Sequence, residues 1–284
     1  NHRIKVGYIS GDFHDHPVAY FIEPILKAHD KNKFEITCFS NNRRDDVVTD
    51  KFKTFAYRWV QTRGMKGDAL VSEISKYDLD ILIDLSGFTN GSATYIFNSR
   101  MAKVQIGWLG YPFSTPVECM DYRIVDAKTD PVGEVDRLYK EKLLRMPNTF
   151  SVFSPSQDLE TVTPIERPPC YEKSEVIFGS FNNIAKINSK VIGCWAKILH
   201  EVPQSRLFMK SNQLKYKEAV RRIERSFEKE GISKDRLELL GHFPTKRQSY
   251  ESMRKIDICL DSFPYNGTTT TCETLYMGVP VVAL

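Results

Sequence analysis

Four consecutive threonines, Thr268 to Thr271, lie between a predicted strand and a predicted helix. Ile258 to Leu260 has the apolar character of a short buried strand, and a helix is predicted over residues 270–277. The first N–H groups of a helix have no intrahelical acceptor, and the helix dipole adds positive charge at that end. Because Gly267 also lets the backbone approach a ligand closely, the segment predicts a phosphate site.

A second interpretation of the same residues needs no ligand. Thr270 and Glu273 have the spacing of a capping box, in which two side chains satisfy the free N–H groups at the start of a helix. A capping box explains two residues of the segment and leaves Gly267 and the other threonines unexplained. The two interpretations are compatible, and both stay open at this stage.

A lysine follows the first predicted strand of the second half of the chain. Strand 176–180 leads into Asn183 and Lys186, which would supply an amide N–H and a positive charge. Together with Lys246 and the threonines they would form a site for a diphosphate that needs no metal. Solvated surface lysines are the alternative interpretation.

Three further loops follow predicted strands of the first half. The loop 10–17 contains His14 and His16, which alternate like a metal-binding pair but have no third ligand nearby in the sequence. His16 directly precedes a predicted helix, whose dipole favours a neutral imidazole; capping of that helix is the alternative role. The glycine-containing loops 86–91 and 109–116 could approach a ligand or be plain turns.

The whole chain alternates short apolar strands with amphipathic helices, which is typical of parallel sheets built from βαβ units. A proline-rich segment interrupts this alternation, so we expect an N-terminal Rossmann-like half at 1–153, a linker at 154–174 and a second half at 175–284. Two doubly wound α/β domains of this kind would bind substrates in a cleft at the carboxyl ends of their strands. Predicted strands of the first half cover 5–9, 34–39, 57–60, 81–85, 104–108 and 122–125, with helices at 18–28, started by Pro17, and 68–76. The second half has predicted strands at 176–180, 206–209, 237–240, 258–260 and 281–284, with helices at 189–200, 215–229, 247–254 and 270–277.

Composition excludes several classes of protein. The 284 residues carry a formal charge of only +4, with the basic residues dispersed, so nucleic acid is not an expected partner. The six cysteines lie far apart, which favours a reducing, cytoplasmic setting and no metal cluster. No apolar run reaches the roughly 20 residues of a membrane helix. Since the chain stops on a predicted strand, we expect the second domain to be incomplete at its C-terminus.

Five segments resemble one known family. They are GYISGDFHDHPVAYFIEP (7–24), WLGYPFST (108–115), MDYRIVD (120–126), FGSFNNIAKI (178–187) and DSFPYNGTTTTCETLYMGVPVV (261–282). In this order they resemble the catalytic region of the protein O-GlcNAc transferase and SPINDLY family, glycosyltransferase family 41. The resemblance implies a GT-B fold, two Rossmann-like domains facing a cleft, and metal-free, inverting transfer of a sugar from a nucleotide diphosphate to protein Ser or Thr hydroxyls. It implies no cofactor other than this donor, and tetratricopeptide repeats in the full-length chain.

The resemblance also assigns roles to residues of this chain. Matching of the family motifs implies that Lys186 and Asn183 contact the donor diphosphate. The phosphate-binding threonines correspond to Thr269 and Thr270, with Thr268 beside them. Further roles implied by the resemblance are a ribose contact for Glu273, a base and ribose contact for Lys246, a sugar-side backbone contact for Gly110, and a cleft position for His16, whose function as general base is disputed.

Departures from the family pattern concern the donor. Animal O-GlcNAc transferases have histidine at the positions of Thr268 and Ser249, and many bacterial relatives have histidine at the position of Phe88. The threonine segment is closer to SPINDLY-type O-fucosyltransferases, which use GDP-fucose. UDP-GlcNAc is the first expectation, GDP-fucose the second, and a non-catalytic donor-binding or scaffolding module the third.

Overall fold

The computed structural model describes residues 3–284, and their contacts divide the chain into unit 1, which ends at Ser154, and unit 2, which begins at Pro155. Each unit is a parallel sheet with helices in its crossovers. The predicted α/β class with two Rossmann-like halves is therefore confirmed.

Unit 1 contains a sheet of seven strands in which every pairing is parallel. The spatial order β3-β2-β1-β4-β5-β6-β7 reverses direction between β1 and β4, as in doubly wound folds. The strands are β1 (Ile4–Ser10), β2 (Phe34–Ser40), β3 (Arg58–Gln61), β4 (Leu79–Asp84), β5 (Ala102–Gly107), β6 (Tyr122–Asp126) and β7 (Lys142–Met146).

Three α-helices connect the first strands of unit 1: α1 (Pro17–Ala28), α2 (Val47–Phe55) and α3 (Gly67–Ser75). Proline at the first position of α1 has no N–H to leave unsatisfied there, which explains the sharp helix start. Leu70 and Ile74 of α3 are fully buried and pack in one core cluster with Phe39 and Leu82 of the sheet. Burial of apolar residues four apart fixes which face of α3 lies on the sheet.

Unit 2 repeats the same topology with five parallel strands in the order β10-β9-β8-β11-β12. Its strands are β8 (Val176–Ser180), β9 (Ser205–Lys210), β10 (Leu237–Leu240), β11 (Ile258–Leu260) and β12 (Val281–Val282). Its helices are α4 (Gln157–Glu160), α5 (Ser189–Glu201), α6 (Lys217–Lys229), α7 (Lys246–Met253) and α8 (Thr269–Tyr276).

Helix α5 is the central packing element of unit 2. Asn188 caps it by accepting the Val191 N–H at 3.0 Å, and Val191, Trp195 and Leu199 follow at helical spacing. These side chains are at most 2% exposed and belong to the same core cluster as Phe227 of α6. Full burial of this face holds α5 against the sheet, so the loop between β8 and α5 has a fixed position.

Two elements of unit 1 are absent from the sequence-based prediction. Helix α2 is stabilised by Asp46, whose carboxylate accepts the N–H groups of Val48 and Thr49, both at 3.0 Å. The Thr49 hydroxyl in turn accepts the Asp46 N–H at 3.1 Å. Strand β7 alternates exposed and half-buried residues at the edge of the sheet. Neither has the long apolar run on which the prediction relied.

The predicted linker differs from the structure. Residues 155–174 count within unit 2 and include α4 and a short 3-10 helix. The Ile165 N–H donates to the Met277 carbonyl at 2.9 Å, and the Cys170 N–H donates to Asp257 at 2.7 Å. These bonds attach the segment to the rest of unit 2, although its prolines predicted a linker between the domains.

Over residues 3–284, no helix is both long and apolar enough to cross a bilayer.

Candidate functional site

The buried carboxylate of Asp261 organises the loop that follows β11. Its Oδ1 accepts the N–H groups of Ser262 and Gly267, each at 2.8 Å, and the Asn182 side-chain amide at 2.7 Å. Its Oδ2 accepts the Thr271 hydroxyl at 3.3 Å. One carboxylate therefore connects the ends of β8 and β11 with the start of α8, where the sequence predicts a phosphate site.

The four threonines divide into two pairs. Thr271 bonds Asp261, and the Thr270 hydroxyl donates to Asn182 Oδ1 at 3.2 Å, so both belong to the scaffold of the loop. Within the described chain, the hydroxyls of Thr268 and Thr269 have no protein partner, and they stand at the N-cap and first position of α8. The structure thus leaves these two hydroxyls for a ligand at the helix N-terminus.

The capping-box interpretation is wrong. Helix α8 begins at Thr269, one residue before the predicted start, so Thr270 is not its N-cap. Glu273 accepts the Tyr250 hydroxyl at 3.0 Å, and the N-cap of α8 has no side-chain hydrogen bond. The N–H groups of the first turn are therefore not satisfied by the box that the spacing suggested.

Gly267 has a packing role. A Cβ added there would come within 2.6 Å of the Thr271 hydroxyl and 2.7 Å of the Thr270 hydroxyl. The predicted close approach is therefore an approach to the protein's own side chains. Glycine is required for the loop to close over them.

Lys186, which follows β8, contacts the loop before the threonines. Its ammonium group donates to the Asn266 carbonyl at 2.8 Å and lies 4.3 Å from the centre of the Tyr265 ring. Burial lowers the pKa of Lys186, and the Asp261 carboxylate acts in the opposite direction. A half-buried cation beside a helix N-terminus is a strong electrostatic site for an anion.

Asn183 stands at the start of the short 3-10 helix Ile184–Lys186. Its Oδ1 caps that helix by accepting the Ala185 N–H at 2.9 Å. The side-chain N–H₂ group is therefore the end of Asn183 that is left to donate, and its contact with a diphosphate stays a prediction.

Glu273 lies in a second polar cluster on the far side of α8. Burial raises the pKa of its carboxyl to about 7, while the Tyr250 hydrogen bond and the charges of Lys246 and Lys210 lower it. Lys246, the first residue of α7, is therefore within electrostatic range of Glu273. The Tyr250 hydroxyl also accepts a bond from Ser156 at 3.3 Å.

Lys210 and Tyr250 were not identified from the sequence. Lys210 ends β9, burial lowers its pKa, and Glu273 acts on it in the opposite direction. A lysine directly after the buried residues Leu207 to Met209 was a usable signal, because ligands bind at carboxyl ends of strands. Tyr250 gave no signal, since its contact with Glu273 spans 23 residues and two helices.

His16 caps α1 in unit 1. Its Nδ1 accepts the Val18 N–H at 3.3 Å and lies 3.8 Å from Asp12 Oδ2. The cap assigns the neutral ring the tautomer with its proton on Nε2. In this form Nε2–H is the donor of the ring, and the capping role that the sequence left open is confirmed.

Gly110 occupies a tight position after β5. Its N–H donates to the Leu85 carbonyl at 3.1 Å, and an added Cβ would come 2.2 Å from that oxygen. The predicted sugar-side contact would therefore fall to the Gly110 carbonyl. An added Cβ would also lie 3.4 Å from Val18, which places this loop beside the capped end of α1.

No group of three or more His, Cys, Asp or Glu side chains among residues 3–284 is close enough to hold a metal ion. His14 and His16 instead share Asp12, with His14 Nε2 at 3.7 Å from its Oδ1.

Comparison with known proteins gives one family. The model of the family described as Glycosyl transferase family 41 matches residues 1–164 and 169–284. The chain is 37% identical over 285 residues to SPINDLY of Arabidopsis thaliana, which is named a probable UDP-N-acetylglucosamine–peptide N-acetylglucosaminyltransferase. It is 26% identical over 289 residues to SEC of the same plant, which carries the same enzyme name. These alignments cover 99% of the chain but only 31% and 29% of the two relatives.

A solved structure agrees with this assignment. A mutant of the O-GlcNAc transferase of Thermobaculum terrenum superposes with a TM-score of 0.91 at 34% identity, over 99% of this chain and 52% of that protein. The likeness confirms the predicted GT-B class. The chain spans about half of that transferase and about a third of the plant relatives.

The raised pKa of Glu273 predicts a pH-dependent stability. A carboxyl whose pKa rises from 4.5 to about 7 on folding stabilises the folded state below pH 4.5, and this contribution is lost as the pH rises through 7. Glu273→Gln keeps a neutral acceptor for Tyr250. It should match the parent near pH 5 and exceed its unfolding free energy by up to about 3 kcal/mol at pH 8.

Urea unfolding at pH 5, 6, 7 and 8 measures this difference. Glu228→Gln, on the exposed end of α6, is the matched control. A gap between Glu273→Gln and the parent that does not widen with pH would show that the Glu273 carboxyl is already ionised at neutral pH.

Proposed function

The chain belongs to glycosyl transferase family 41, and we propose that it transfers a sugar from a nucleotide diphosphate to Ser or Thr hydroxyls of a protein. The observation that carries this proposal is the position of Lys186, whose ammonium group bonds Asn266 directly before the N-terminal turn of α8. Unit 2 would hold the donor through this site. The relatives' names support the reaction class.

The site suits a departing diphosphate. As the bond between the sugar and the phosphate breaks, negative charge develops on the phosphate oxygens, and preorganised donors there lower the barrier. Lys186, the N–H groups of the first turn of α8 and the hydroxyls of Thr268 and Thr269 would supply these donors. Asp261 holds the loop before α8 through Ser262, Gly267 and Thr271, so little reorganisation of this loop is needed when the charge appears.

We propose that no metal takes part and that the sugar carbon is inverted. The positive charge that Mg²⁺ or Mn²⁺ brings to other diphosphate sites would come here from Lys186 and the helix N-terminus. Retention through a covalent intermediate needs a carboxylate free to attack the sugar. Asp261 accepts four hydrogen bonds and Glu273 is buried against Tyr250, so neither is presented as a nucleophile.

The donor is proposed to be UDP-GlcNAc, in line with the names of the relatives. GDP-fucose is the second candidate. The observation that favours it is Thr268, which stands open at the N-cap of α8 where animal O-GlcNAc transferases have histidine.

Calorimetry with UDP, GDP, UDP-GlcNAc and GDP-fucose tests this proposal, each titration being run with EDTA and again with Mn²⁺. We expect UDP and UDP-GlcNAc to bind equally well under both conditions, because lysines supply the charge. Binding of the guanine nucleotides alone would assign fucose transfer. Binding that needs Mn²⁺ would contradict the metal-free site, and no binding of any of the four would leave a scaffolding module as the function.

Removal of Lys186 should abolish most turnover. Loss of one preorganised donor to a developing charge costs on the order of 10² to 10³ in rate. Lys186→Ala should show this loss in donor turnover while its Tm stays near that of the parent, and Lys190→Ala, an exposed lysine at the start of α5, is the control. If Lys186→Ala retains more than about a third of the activity, the ammonium group does not stabilise the leaving diphosphate.

His16 is proposed to contact the acceptor through Nε2–H. His16→Ala should lower the rate by about 10²-fold with donor affinity unchanged. Because asparagine is a good N-cap, His16→Asn should restore the cap of α1 without the imidazole. Full recovery of the rate in His16→Asn, measured against the same acceptor, would reduce the role of His16 to capping.

A further inference from the structure

Three aromatic rings form a ladder at the carboxyl edge of the unit 1 sheet. Phe88 follows β4, and Tyr111 and Phe113 follow β5. The Phe88 and Tyr111 ring centres lie 5.6 Å apart at 77°, and those of Tyr111 and Phe113 lie 6.0 Å apart at 72°. Phe88 is nevertheless 53% exposed and Phe113 59% exposed. The aromatic ladder is therefore built by edge-to-face contacts while both of its ends remain open to solvent.

The backbone fixes the ladder in this exposed position. Gly87 has φ +54°, and a Cβ there would come 2.3 Å from the Tyr111 Cβ. Leu109, two residues before Tyr111, has φ +79°, which is uncommon for a residue with a side chain. Asp84 holds the β4 loop by accepting the N–H groups of Ser86 at 3.0 Å and Gly87 at 3.1 Å. Such strain persists only where the surrounding structure enforces it, and it is concentrated at ligand sites.

The loops at this edge differ in charge from the candidate phosphate site. The loops 10–17, 86–91 and 109–115 contain no lysine or arginine, and their charged residues are Asp12 and Asp15. A diphosphate has no counter-charge within these loops, whereas unit 2 offers Lys186, Lys210 and Lys246. The ladder lies near the His16 region, because Gly110, directly before Tyr111, bonds Leu85 and a Cβ added at Gly110 would lie 3.4 Å from Val18. Arg43 donates to Asn90 of loop 86–91 at 3.0 Å, but the three ladder side chains are themselves uncharged and suit an uncharged segment of the acceptor.

We propose that the aromatic ladder binds an aromatic side chain of the acceptor polypeptide close to the modified Ser or Thr, an inference that rests on the proposed function. An aromatic ring stacks on another at centre distances of about 4.5 to 7 Å, so a ring from the acceptor would extend the ladder at Phe113 or Phe88. The chain would then select its acceptors partly through these two phenylalanines. One such ring contact corresponds to about 10-fold in affinity.

Peptide binding tests the ladder without any transfer reaction. Fluorescence anisotropy of the whole chain would compare Ser-centred peptides that carry Phe, Leu or Ala at one flanking position, scanned over the four residues on each side. We expect the peptide with Phe at the right position to bind about 10-fold more tightly than its Leu and Ala counterparts. Phe88→Ala and Phe113→Ala should remove most of that preference.

Two further variants sharpen the result. Phe113→Leu retains apolar area without a ring and should also lose the preference for Phe. Tyr95→Ala removes another aromatic residue of unit 1, which is 46% exposed, and should retain the preference for Phe. No preference for Phe in the parent, or the same preference in Phe88→Ala and Phe113→Ala, would overturn the proposal.

Nucleotide calorimetry on the same variants separates the two proposals. If nucleotides bind and the preference for Phe is absent, the ladder proposal fails alone. If the preference for Phe depends on the ladder but no nucleotide binds, the transferase proposal fails and the ladder stands as a peptide-binding surface.

Discussion

The candidate donor site depends on one buried carboxylate. Asp261 is 4% exposed and accepts four hydrogen bonds, which join the ends of β8 and β11 to the first turn of α8. A buried carboxylate is costly unless its oxygens are fully bonded, and hydrogen bonds to a charged acceptor are about twice as strong as neutral ones. The loop is therefore fixed by a carboxylate whose oxygens are bonded to protein groups. Burial lowers the pKa of Lys186, and the same carboxylate acts in the opposite direction.

Sequence patterns predicted the parts of the fold that depend on continuous apolar burial. Strands β8, β10 and β11 were predicted with their observed bounds, because each is a short apolar segment between clear breaks. Strand β7 and helix α2 were missed because half-exposed alternation and an aspartate cap leave weaker signals than a buried run. Lys186 and the threonine loop were found since they follow strands directly. Lys210 comes near Glu273 only when the sheet has folded, and Tyr250 bonds Glu273 only when α7 and α8 have packed. Neither pairing could therefore be predicted from the sequence.

The two units differ in the charge of their loops. Cations end or follow the strands of unit 2, while the corresponding loops of unit 1 carry two aspartates, two histidines and exposed aromatic rings. This difference divides the proposed reaction between a unit that neutralises a leaving diphosphate and a unit that receives the acceptor. The same topology supports both roles, since the strand order fixes only where the loops lie and the side chains decide what they bind.

The hydrogen bonds between residues 155–174 and the rest of unit 2 determine where the chain can be divided. Ser156 donates to the Tyr250 hydroxyl, which donates to Glu273, and Asp257 accepts the N–H groups of Cys170 and Ile177. A recombinant fragment of this half of the chain that starts at β8 would lose Ser156 and Cys170, and with them one hydrogen bond to the Tyr250 hydroxyl and one to the Asp257 carboxylate. Any gene fusion, domain exchange or truncation that is to preserve this half intact has to retain the proline-rich segment along with it.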